Sequence, residues 1–417
     1  MYMKIFTPIV KSFISKITDF TGYSIAQQNK VYSLTNVSPG PATINPVVIE
    51  KICEELNNKT IEYTFGNTPL EMSHRSPEFE KIMENVNKKI RFFMEIPDDF
   101  EIIWTQGGGH GQFSAIPLNM KRIFNDVKGG YMVTGTWSSR AFDESKKFIN
   151  TINICENFYK EQVNKYPIEY NILPSQFEIP DDINYLYICS NETVNGTEFR
   201  SHNIEYPSRK LLGDTKLVVD MSSDFLMKKI DWNNIDVAFA CTSKNMGIAG
   251  ANMLIVDKKL LNKIDSDIDV PCILDWKLYS DSKSLYNTPA VFNFYLLDYI
   301  LDNYIEEMKN ITQMDNYNQA KAQYIYDFLD ESKKFHACVK DVTSRSNVNI
   351  PFIVGNGTSE ERTDFLEHCY NHNIVGLRTK TPFSYESMGL KEPLRISLYN
   401  GIKLEDVQRI IKVMDSF

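Results

Sequence analysis

From about Pro46 the chain alternates short apolar runs with segments in which apolar residues recur at helical spacing. Several of the runs are apolar at both odd and even positions, as a strand covered on both faces requires. The pattern predicts an α/β fold with a mostly parallel sheet flanked by helices. The runs that read as strands are Glu101–Trp104, Tyr131–Val133, Tyr185–Ile188, Lys216–Val219, Val237–Ala240 and Met253–Val256.

Beyond residue 290 the pattern changes to a helical stretch followed by a smaller α+β unit. Pro351–Val354 reads as a strand, and Thr358 with Glu361 forms a capping box that opens a helix. A strand through Leu394–Leu398 and a helix over Leu404–Val413 complete the unit. We therefore expect an N-terminal extension over residues 1–35, a large domain over 36–310 and a small domain over 311–417. The first residues of the large domain are candidates for packing on the small one.

The first thirty residues carry four lysines and one acid, with apolar spacing that predicts a short amphipathic helix. Organelle transit peptides are also amphipathic and poor in acids, but they are usually rich in arginine, and this segment has none. A packed or mobile extension is favoured over a targeting segment. No apolar run approaches the ~20 residues of a membrane helix, so we expect a soluble, cytoplasmic protein with no membrane partner.

Composition and charge narrow the classes of function. The chain is 42% apolar and 24% charged, which is typical of an ordinary globular protein. A formal net charge of -9 repels nucleic acid, so an anionic substrate would need a few positioned cations. The seven cysteines are odd in number and lack CxxC spacing, which argues against a zinc site or a disulfide framework and favours a reducing compartment.

Two strand ends carry the residues most indicative of chemistry. Asp220 directly follows the run Lys216–Val219, and Lys244 comes shortly after Val237–Ala240. The carboxyl ends of parallel strands meet at one edge of a sheet, so both side chains would project into one crevice. A lysine and an acid so placed are the pair that pyridoxal phosphate requires, for covalent attachment and for the pyridine nitrogen. Taken singly, Asp220 is better explained as the cap of a turn and Lys244 as a solvated loop lysine.

A glycine-rich segment over residues 105–113 joins the strand that ends near Trp104 to a helix expected to begin near Gln112. Backbone N–H groups at such a turn can face a phosphate at the helix N-terminus. The segment matches neither GxGxxG nor GxxxxGK[ST], which argues against dinucleotides and nucleoside triphosphates. A phosphate site and a simple tight turn both remain open.

Together these motifs resemble the phosphoserine aminotransferases, which are class V, fold-type I pyridoxal phosphate enzymes. The resemblance implies a large domain with a mostly parallel seven-stranded sheet and a smaller C-terminal α+β domain. It also implies pyridoxal 5′-phosphate as cofactor and a homodimer with active sites shared between subunits. The segments that carry it, in the family's order, are residues 36–42 (NVSPGPA), 71–76 (EMSHRS), 105–119, 189–193 (CSNET), 220–224 (DMSSD), 243–247 (SKNMG), 286–289 (YNTP) and 395–400 (RISLYN).

The resemblance implies roles around the cofactor ring. Lys244 would be the Schiff-base lysine and Asp220 the partner of the pyridine nitrogen. Trp137 would stack on the ring as an aromatic face, and Thr193 would hydrogen-bond the ring's hydroxyl oxygen. An interior tryptophan and a turn threonine are the plainer interpretations of these last two residues.

The resemblance also implies a phosphate site. Gly109 and His110 would hold the cofactor phosphate at the helix N-terminus, and Asn287 and Thr288 would reach it from the partner subunit. Ser243 stands where family members commonly have Gln. Its hydroxyl has a shorter reach, so one phosphate contact is left open.

For the substrate, Arg395 matches the arginine that clamps the α-carboxylate, a bidentate role for which Lys is a poor substitute. His74 and Arg75 match the pair that approaches the distal anionic group from the other subunit. The family's C-terminal Gly-His-Arg segment is missing here, and Arg378 or Lys380 could supply the lost charge. Losing one cation from a desolvated phosphate site costs on the order of 2–5 kcal/mol, enough to change the preferred acid.

The implied function is transamination between glutamate and 3-phosphohydroxypyruvate, giving phosphoserine and 2-oxoglutarate in serine biosynthesis. The altered C-terminal loop keeps open a related transaminase for a different 2-oxo acid. A class V lyase would need a mobile nucleophilic cysteine, whereas Cys338 and Cys369 lie in apolar contexts. A non-catalytic relic is disfavoured because Lys244, Asp220 and Arg395 are all retained.

Overall fold

The computed structural model describes residues 34–58, 68–157, 178–200, 205–264, 268–378 and 392–417. The predicted N-terminal amphipathic helix and Lys380 lie outside these residues. The strands in chain order are β1 (Thr35–Asn36), β2 (Phe100–Thr105), β3 (Lys128–Met132), β4 (Asn150–Asn153), β5 (Tyr185–Cys189), β6 (Asn191–Glu192), β7 (Thr197–Glu198), β8 (Lys216–Asp220), β9 (Val237–Cys241), β10 (Asn252–Asp257), β11 (Phe335–Ala337), β12 (Asn349–Val354), β13 (Ile374–Val375) and β14 (Leu394–Ser397). The α-helices are α1 (Pro46–Asn58), α2 (Pro77–Phe93), α3 (Gly108–Phe124), α4 (Thr136–Ser145), α5 (Arg209–Leu212), α6 (Lys258–Leu261), α7 (Trp276–Asp281), α8 (Val291–Met308), α9 (Ile311–Glu331), α10 (Ser359–Asn371) and α11 (Leu404–Asp415). Short 3₁₀ helices lie at Trp232–Asn234, Cys272–Leu274 and Val342–Ser344.

A seven-stranded sheet in the order β2-β10-β9-β8-β5-β3-β4 forms the centre of the larger core. Within this sheet the neighbouring strands β4, β3, β5, β8 and β9 pair in parallel. Strand β10 is antiparallel to both of its neighbours, β9 and β2. The predicted mostly parallel sheet is confirmed, and each predicted strand is present. The largest shift is at the start of β3, where Gly129 and Gly130 carry no apolar side chain to mark the strand. Side chains of Tyr185 and Ile183 fill the space beside these glycines.

Helix α3 begins one turn earlier than the predicted start near Gln112. Gly107 precedes it with φ of 87°, a left-handed conformation that other residues rarely adopt. The first intrahelical bond runs from the N–H of Gly111 to the carbonyl of Gly107 at 3.1 Å. The prediction was wrong here because glycines disfavour helix interiors, yet these form the first turn. The N–H groups of Gly108 and Gly109, which precede that bond, have no intrahelical partner, as in every helix N-terminus.

A smaller core packs an antiparallel sheet of β11, β12 and β14 against α9, α10 and α11. The predicted capping box is confirmed, since the Thr358 hydroxyl accepts from the N–H of Glu361 and the Glu361 carboxylate accepts from the N–H of Thr358. The predicted strand at 394 and the closing helix are also present. Val37 is buried in this core, and β1 pairs in parallel with β13. Helix α9 contributes to both cores, so the division of the chain into domains stays a prediction.

Candidate active site

A cavity of about 860 Å³ opens between the carboxyl edge of the seven-stranded sheet and the smaller core. One side, which we call the sheet wall, carries Trp137, Thr193 and Lys244. The opposite side, the arginine wall, carries Arg395 and Arg378 together with one face of α10. The fold therefore brings five of the predicted site residues, from distant parts of the chain, around one space.

Asp220 lies at the end of β8, parallel to β9, which leads to Lys244. Its carboxylate is 5% exposed and accepts hydrogen bonds from the N–H of Ser222 at 2.9 Å and the hydroxyl of Tyr187 at 3.2 Å. Burial raises the pKa of this carboxyl to about 6, and the contacts from Ser222 oppose the shift. The nearby acids Glu192 and Asp224 push it in the same direction as burial. A buried acid in this state gains from a cation placed opposite it.

Lys244 is held by a hydrogen bond to the segment that precedes α1. Its Nζ donates to the carbonyl of Pro39 at 2.6 Å and lies 5.7 Å from the ring centroid of Tyr399. A Cβ on Gly40 would stand 3.2 Å from the lysine's side-chain carbons, a tighter approach than most side chains make. Glycine at this position therefore gives the lysine its room.

The first turn of α3 and a serine hydroxyl form a cradle of donors for an anion. Gly109 and His110 lie in that turn, whose early N–H groups lack helical partners. A Cβ built on Gly109 would be 3.9 Å from the Oγ of Ser222. That oxygen is buried and makes no hydrogen bond of good geometry within the described chain. Sequence reasoning missed Ser222, although its motif DMSSD was part of the resemblance.

Trp137 is oriented by a buried acid that sequence reasoning also missed. The carboxylate of Glu192 accepts from the N–H groups of Trp137 and Ser138, both at 2.9 Å, and from the Ser138 hydroxyl at 2.6 Å. Burial raises the pKa of Glu192, and these hydrogen bonds oppose the shift. The arrangement caps the N-terminus of α4 and fixes the tryptophan at the cavity. The ring of His110 meets the Trp137 ring edge-on at 5.7 Å.

Arg395 lies on β14 and is 5% exposed. Its Nη1 donates to the carbonyl of Thr193 at 2.6 Å, while its Nε is buried with no partner in the described residues. Burial lowers the pKa of this guanidinium from its ordinary value. Among the described carboxylates none forms an ion pair with Arg395. The planar group is thus partly satisfied and can still receive a carboxylate.

The arginine wall also contains groups of both signs near its rim. Arg378 is exposed and joins the backbone of Leu394 in an isolated bridge. Glu367, on the cavity face of α10, is exposed as well. An acid on this wall was not foreseen from the sequence, because only the packing of α10 places it there.

Eight predicted site residues do not line this cavity in a single chain: Asp220, Gly109 and His110, described above, and His74, Arg75, Ser243, Asn287 and Thr288. Arg75 is exposed just before α2, next to His74. The side-chain oxygen of Asn287 accepts from Tyr279 at 2.8 Å, and the carbonyl of Thr288 accepts from Gln106 at 2.7 Å. Their roles across a subunit boundary stay predictions. Ser243 also lies off the cavity, where its Oγ contacts the Cys241 Sγ at 3.5 Å, so its phosphate contact stays a prediction too.

The donor set fits pyridoxal phosphate. A reachable lysine, a buried acid, a flat aromatic ring and a helix N-terminus with a spare hydroxyl are the groups that this cofactor uses. In the described part of the chain no cluster of His, Cys, Asp and Glu could hold a metal ion, and no helix is long and apolar enough to cross a membrane.

Residues 34–410 match the family model described as Aminotransferase class-V. The chain therefore belongs to the class-V aminotransferase family, and the predicted resemblance is confirmed. Phosphoserine aminotransferase 2, chloroplastic, of Arabidopsis thaliana is 32% identical over 92% of this chain and 84% of its own length. The probable phosphoserine aminotransferase of Caenorhabditis elegans is 34% identical over 92% of this chain and 96% of its own. The crystal structure of phosphoserine aminotransferase with pyridoxal phosphate bound, from Trichomonas vaginalis, is similar with a TM-score of 0.78 at 27% identity, covering 92% of this chain and 99% of that one.

Proposed function

We propose that this chain is a pyridoxal phosphate-dependent aminotransferase that uses glutamate and 3-phosphohydroxypyruvate to make phosphoserine and 2-oxoglutarate in serine biosynthesis. The observation that carries the proposal is the cavity lined by Lys244 and Arg395, at the edge of the sheet where β8 ends in the buried Asp220. The relatives named phosphoserine aminotransferase, which span nearly the whole described chain, support the choice of reaction.

The bound cofactor supplies an electron-withdrawing ring that makes the Cα–H of an attached amino acid acidic. Lys244 would hold the cofactor. When its amine is free, Lys244 would take the proton from Cα of the amino acid and deliver it to a carbon of the cofactor. Asp220 keeps a proton on the ring nitrogen, since an ionised acid beside that nitrogen favours its charged form. Trp137 covers one face of the ring, and the first turn of α3 with Ser222 receives the phosphate.

The substrate contacts follow from the arginine wall. Arg395 receives the α-carboxylate on the side of its guanidinium that Thr193 does not occupy. Arg378, at the rim of the same wall, is placed to meet a distal anionic group. These two cations supply the local capture that a chain of net charge -9 needs for an anionic substrate.

The active form in this proposal is a homodimer in the cytoplasm. The support for shared sites is that His74, Arg75, Asn287 and Thr288 match family positions yet stand outside the cavity of their own chain. In a homodimer these residues would contribute to the cavity of the other subunit. The number of cysteines is odd and no disulfide forms among the described residues, which supports a reducing compartment.

A transaminase for an unphosphorylated 2-oxo acid is the second candidate. Glu367 favours it, because a carboxylate that lines the same cavity as Arg378 weakens the attraction of the arginine wall for a doubly charged phosphate. A lyase of the cysteine desulfurase kind is less well supported. Cys369 is buried on α10, and burial raises the pKa of its thiol to about 12, which leaves little nucleophilic thiolate.

The test is a half-reaction on the purified holoenzyme. Glutamate first converts the cofactor to its amine form, and single 2-oxo acids are then compared for the rate at which they restore the aldehyde absorbance. We expect 3-phosphohydroxypyruvate to exceed hydroxypyruvate, which lacks only the phosphate, by roughly a hundredfold in kcat/KM. The reverse order would overturn the phosphoserine assignment in favour of the second candidate. Failure of every 2-oxo acid would overturn transamination itself.

A further inference from the structure

A strap formed by residues 36–43 crosses from the smaller core to the edge of the larger one. It begins at β1, paired with β13, and the N–H of Ala42 donates to the carbonyl of Ser243 at 3.0 Å. Midway along it, the carbonyl of Pro39 accepts two hydrogen bonds. One comes from the Nζ of Lys244 at 2.6 Å and the other from the hydroxyl of Tyr399 at 2.8 Å. A single backbone oxygen therefore joins the reacting lysine to Tyr399, a buried tyrosine just beyond β14 that packs with Ala42 and Val348.

Tyr399 adds a second contact with the lysine. Its ring centroid lies 5.7 Å from the Nζ of Lys244, within the range in which an aromatic ring attracts a cation. Tyr399 is 1% exposed, whereas Lys244 is half-buried at the cavity. Tyr399 comes four residues after Arg395 along the chain.

The backbone around Tyr399 is held from both cores. The Nζ of Lys321 donates to the carbonyls of Leu398, Tyr399 and Ile402 at 3.0, 3.3 and 2.9 Å. Burial lowers the pKa of Lys321, whereas three carbonyl acceptors favour its ammonium form. On the other side, the N–H of Asn400 donates to Asn245 Oδ1 at 3.0 Å, and Asn245 is the residue next to Lys244. The contact between Tyr399 and the lysine is thus fixed by its surroundings.

We infer that Tyr399 and the Pro39 carbonyl form a holding site for the ammonium of Lys244, used whenever that amine is not bonded to the cofactor. The carbonyl accepts a proton of the ammonium, the ring faces its charge, and the tyrosine hydroxyl fixes the carbonyl. Tyr399 is in this sense a positioning residue. Its part in turnover rests on the proposed function, because a transaminase lysine must leave the cofactor, carry a proton and return.

The charged groups around this site are few. The strap contributes no titratable side chain at Ser38, Pro39 or Gly40, and in the described chain no carboxylate is ion-paired with Lys244. From the other elements Arg395, Arg378 and Glu367 line the same cavity, and Asp220 ends the neighbouring strand. The ammonium is therefore stabilised mainly by neutral groups, of which Tyr399 is the one that a substitution can remove.

The test measures the reactivity of the Lys244 amine in the full-length apoenzyme, where that amine is free. Trace acetic anhydride labels amines in proportion to their neutral fraction, and peptide mass spectrometry reads the labelling of Lys244 from pH 6 to 11. We expect Tyr399→Met to raise the labelling of Lys244 by about three- to tenfold at the lower pH values, since the ammonium loses its ring. Tyr399→Phe keeps the ring and should cause a smaller increase. Unchanged labelling in Tyr399→Met would overturn the inference.

Tyr326 offers a matched control. It is a buried tyrosine whose hydroxyl donates to the carbonyl of Ser346 at 2.9 Å, with the guanidinium of Arg345 4.5 Å from its ring. It belongs to the smaller core and does not line the cavity. The same two substitutions there should leave the labelling of Lys244 unchanged. An equal increase from Tyr326→Met would mean that loosening the smaller core is enough, and would contradict the holding site.

A kinetic measurement on the holoenzyme decides the case if Tyr399→Met fails to fold. We expect Tyr399→Phe to lower kcat roughly two- to tenfold, the size of one lost hydrogen bond, with KM for glutamate unchanged. A raised KM with unchanged kcat would show that Tyr399 serves Arg395 instead, and would overturn the inference. The apoenzyme titration uses no substrate, so its outcome is independent of whether the proposed reaction is correct.

Discussion

The two walls of the cavity differ in how their charges are satisfied. On the sheet wall and the strand end beside it, Asp220 receives hydrogen bonds from Ser222 and Tyr187, and the helix of Trp137 is capped by Glu192. On the arginine wall, Arg395 has one carbonyl partner and a buried Nε with none in the described chain. Preformed hydrogen bonds favour one fixed geometry, whereas an unpaired buried cation favours a ligand of opposite charge. In the proposed reaction, the first wall would therefore set the chemistry and the second would set which acid is taken.

The largest effect should come from Asp220→Asn, which keeps the shape of the side chain beside the sheet wall and removes the charge of its carboxylate. Without a carboxylate opposite the ring nitrogen, the proton there is lost, and kcat should fall by roughly a hundredfold or more. The half-reaction with glutamate measures this directly, with circular dichroism to confirm folding. Turnover near the wild-type value with intact cofactor absorbance would show that the charge has no such role.

Arg395→Lys is the corresponding change on the arginine wall. A lysine keeps the charge but loses the planar pair of donors, so we expect kcat/KM for glutamate to fall by about 30- to 1000-fold, through KM. Arg345→Lys is the control, because Arg345 makes a bidentate pair with Asp330, with both contacts at 2.6 Å, away from the cavity. Equal kinetic losses in the two variants would contradict a substrate role for Arg395.

The sheet wall was largely predictable from the sequence, and the reason lies in its strands. Parallel strands covered on both faces are apolar throughout, so the polar residues Asp220 and Lys244 stand out at their ends. Glu192 did not stand out in this way. Its role depends on contact with the N-terminus of α4, which is distant from Glu192 along the chain. It also depends on Gly135, because a Cβ at that position would lie 2.6 Å from the glutamate Cδ.

The arginine wall was less predictable, because its residues come from packing and not from strand ends. The motif around Arg395 identified that residue, but the Thr193 carbonyl that holds it is a backbone group with no sequence signal. Glu367 faces the cavity only through the docking of α10 on the smaller core. Tyr399 lay within a recognised motif, yet its contact with Lys244 depends on the path of the strap.

Burial of the Asp220 carboxylate should lower the free energy of unfolding at neutral pH. The pKa of Asp220 is about 6 in the folded protein, against about 3.9 for an unfolded aspartate. The folded state thus binds this proton more tightly, and its stability falls as pH rises from about 4 to 6. Asp220→Asn lacks this penalty, so its apoenzyme should be more stable at pH 7.5 by on the order of 2 kcal/mol, with no gain near pH 4. Urea denaturation at both pH values tests this, and an equal effect at the two would contradict it.

Glu192→Gln should separate positioning from chemistry on the same wall. A glutamine cannot accept from both N–H groups at the start of α4, so Trp137 loses its fixed orientation at a cost of about 1–2 kcal/mol. We expect the Kd for pyridoxal phosphate to rise by about five- to tenfold in equilibrium dialysis. Glu361→Gln is the control, since the Glu361 carboxylate also accepts from two backbone N–H groups, those of Asn356 and Thr358 just before α10, and does not line the cavity. A similar rise in that variant would show a general loss of stability instead.

The smallest effect concerns Glu367, the acid on the arginine wall. Glu367→Gln removes a like charge near a bound phosphate, so kcat/KM for 3-phosphohydroxypyruvate should rise about two- to fivefold, and less at high salt. Hydroxypyruvate carries no phosphate and should gain much less, which makes the ratio of the two acids the quantity to measure. Glu360→Gln, an exposed change on the same helix that does not line the cavity, should leave this ratio unchanged. If Glu367→Gln also leaves it unchanged, Glu367 does not contribute to the choice of acid, and that choice rests on Arg378 and Arg395.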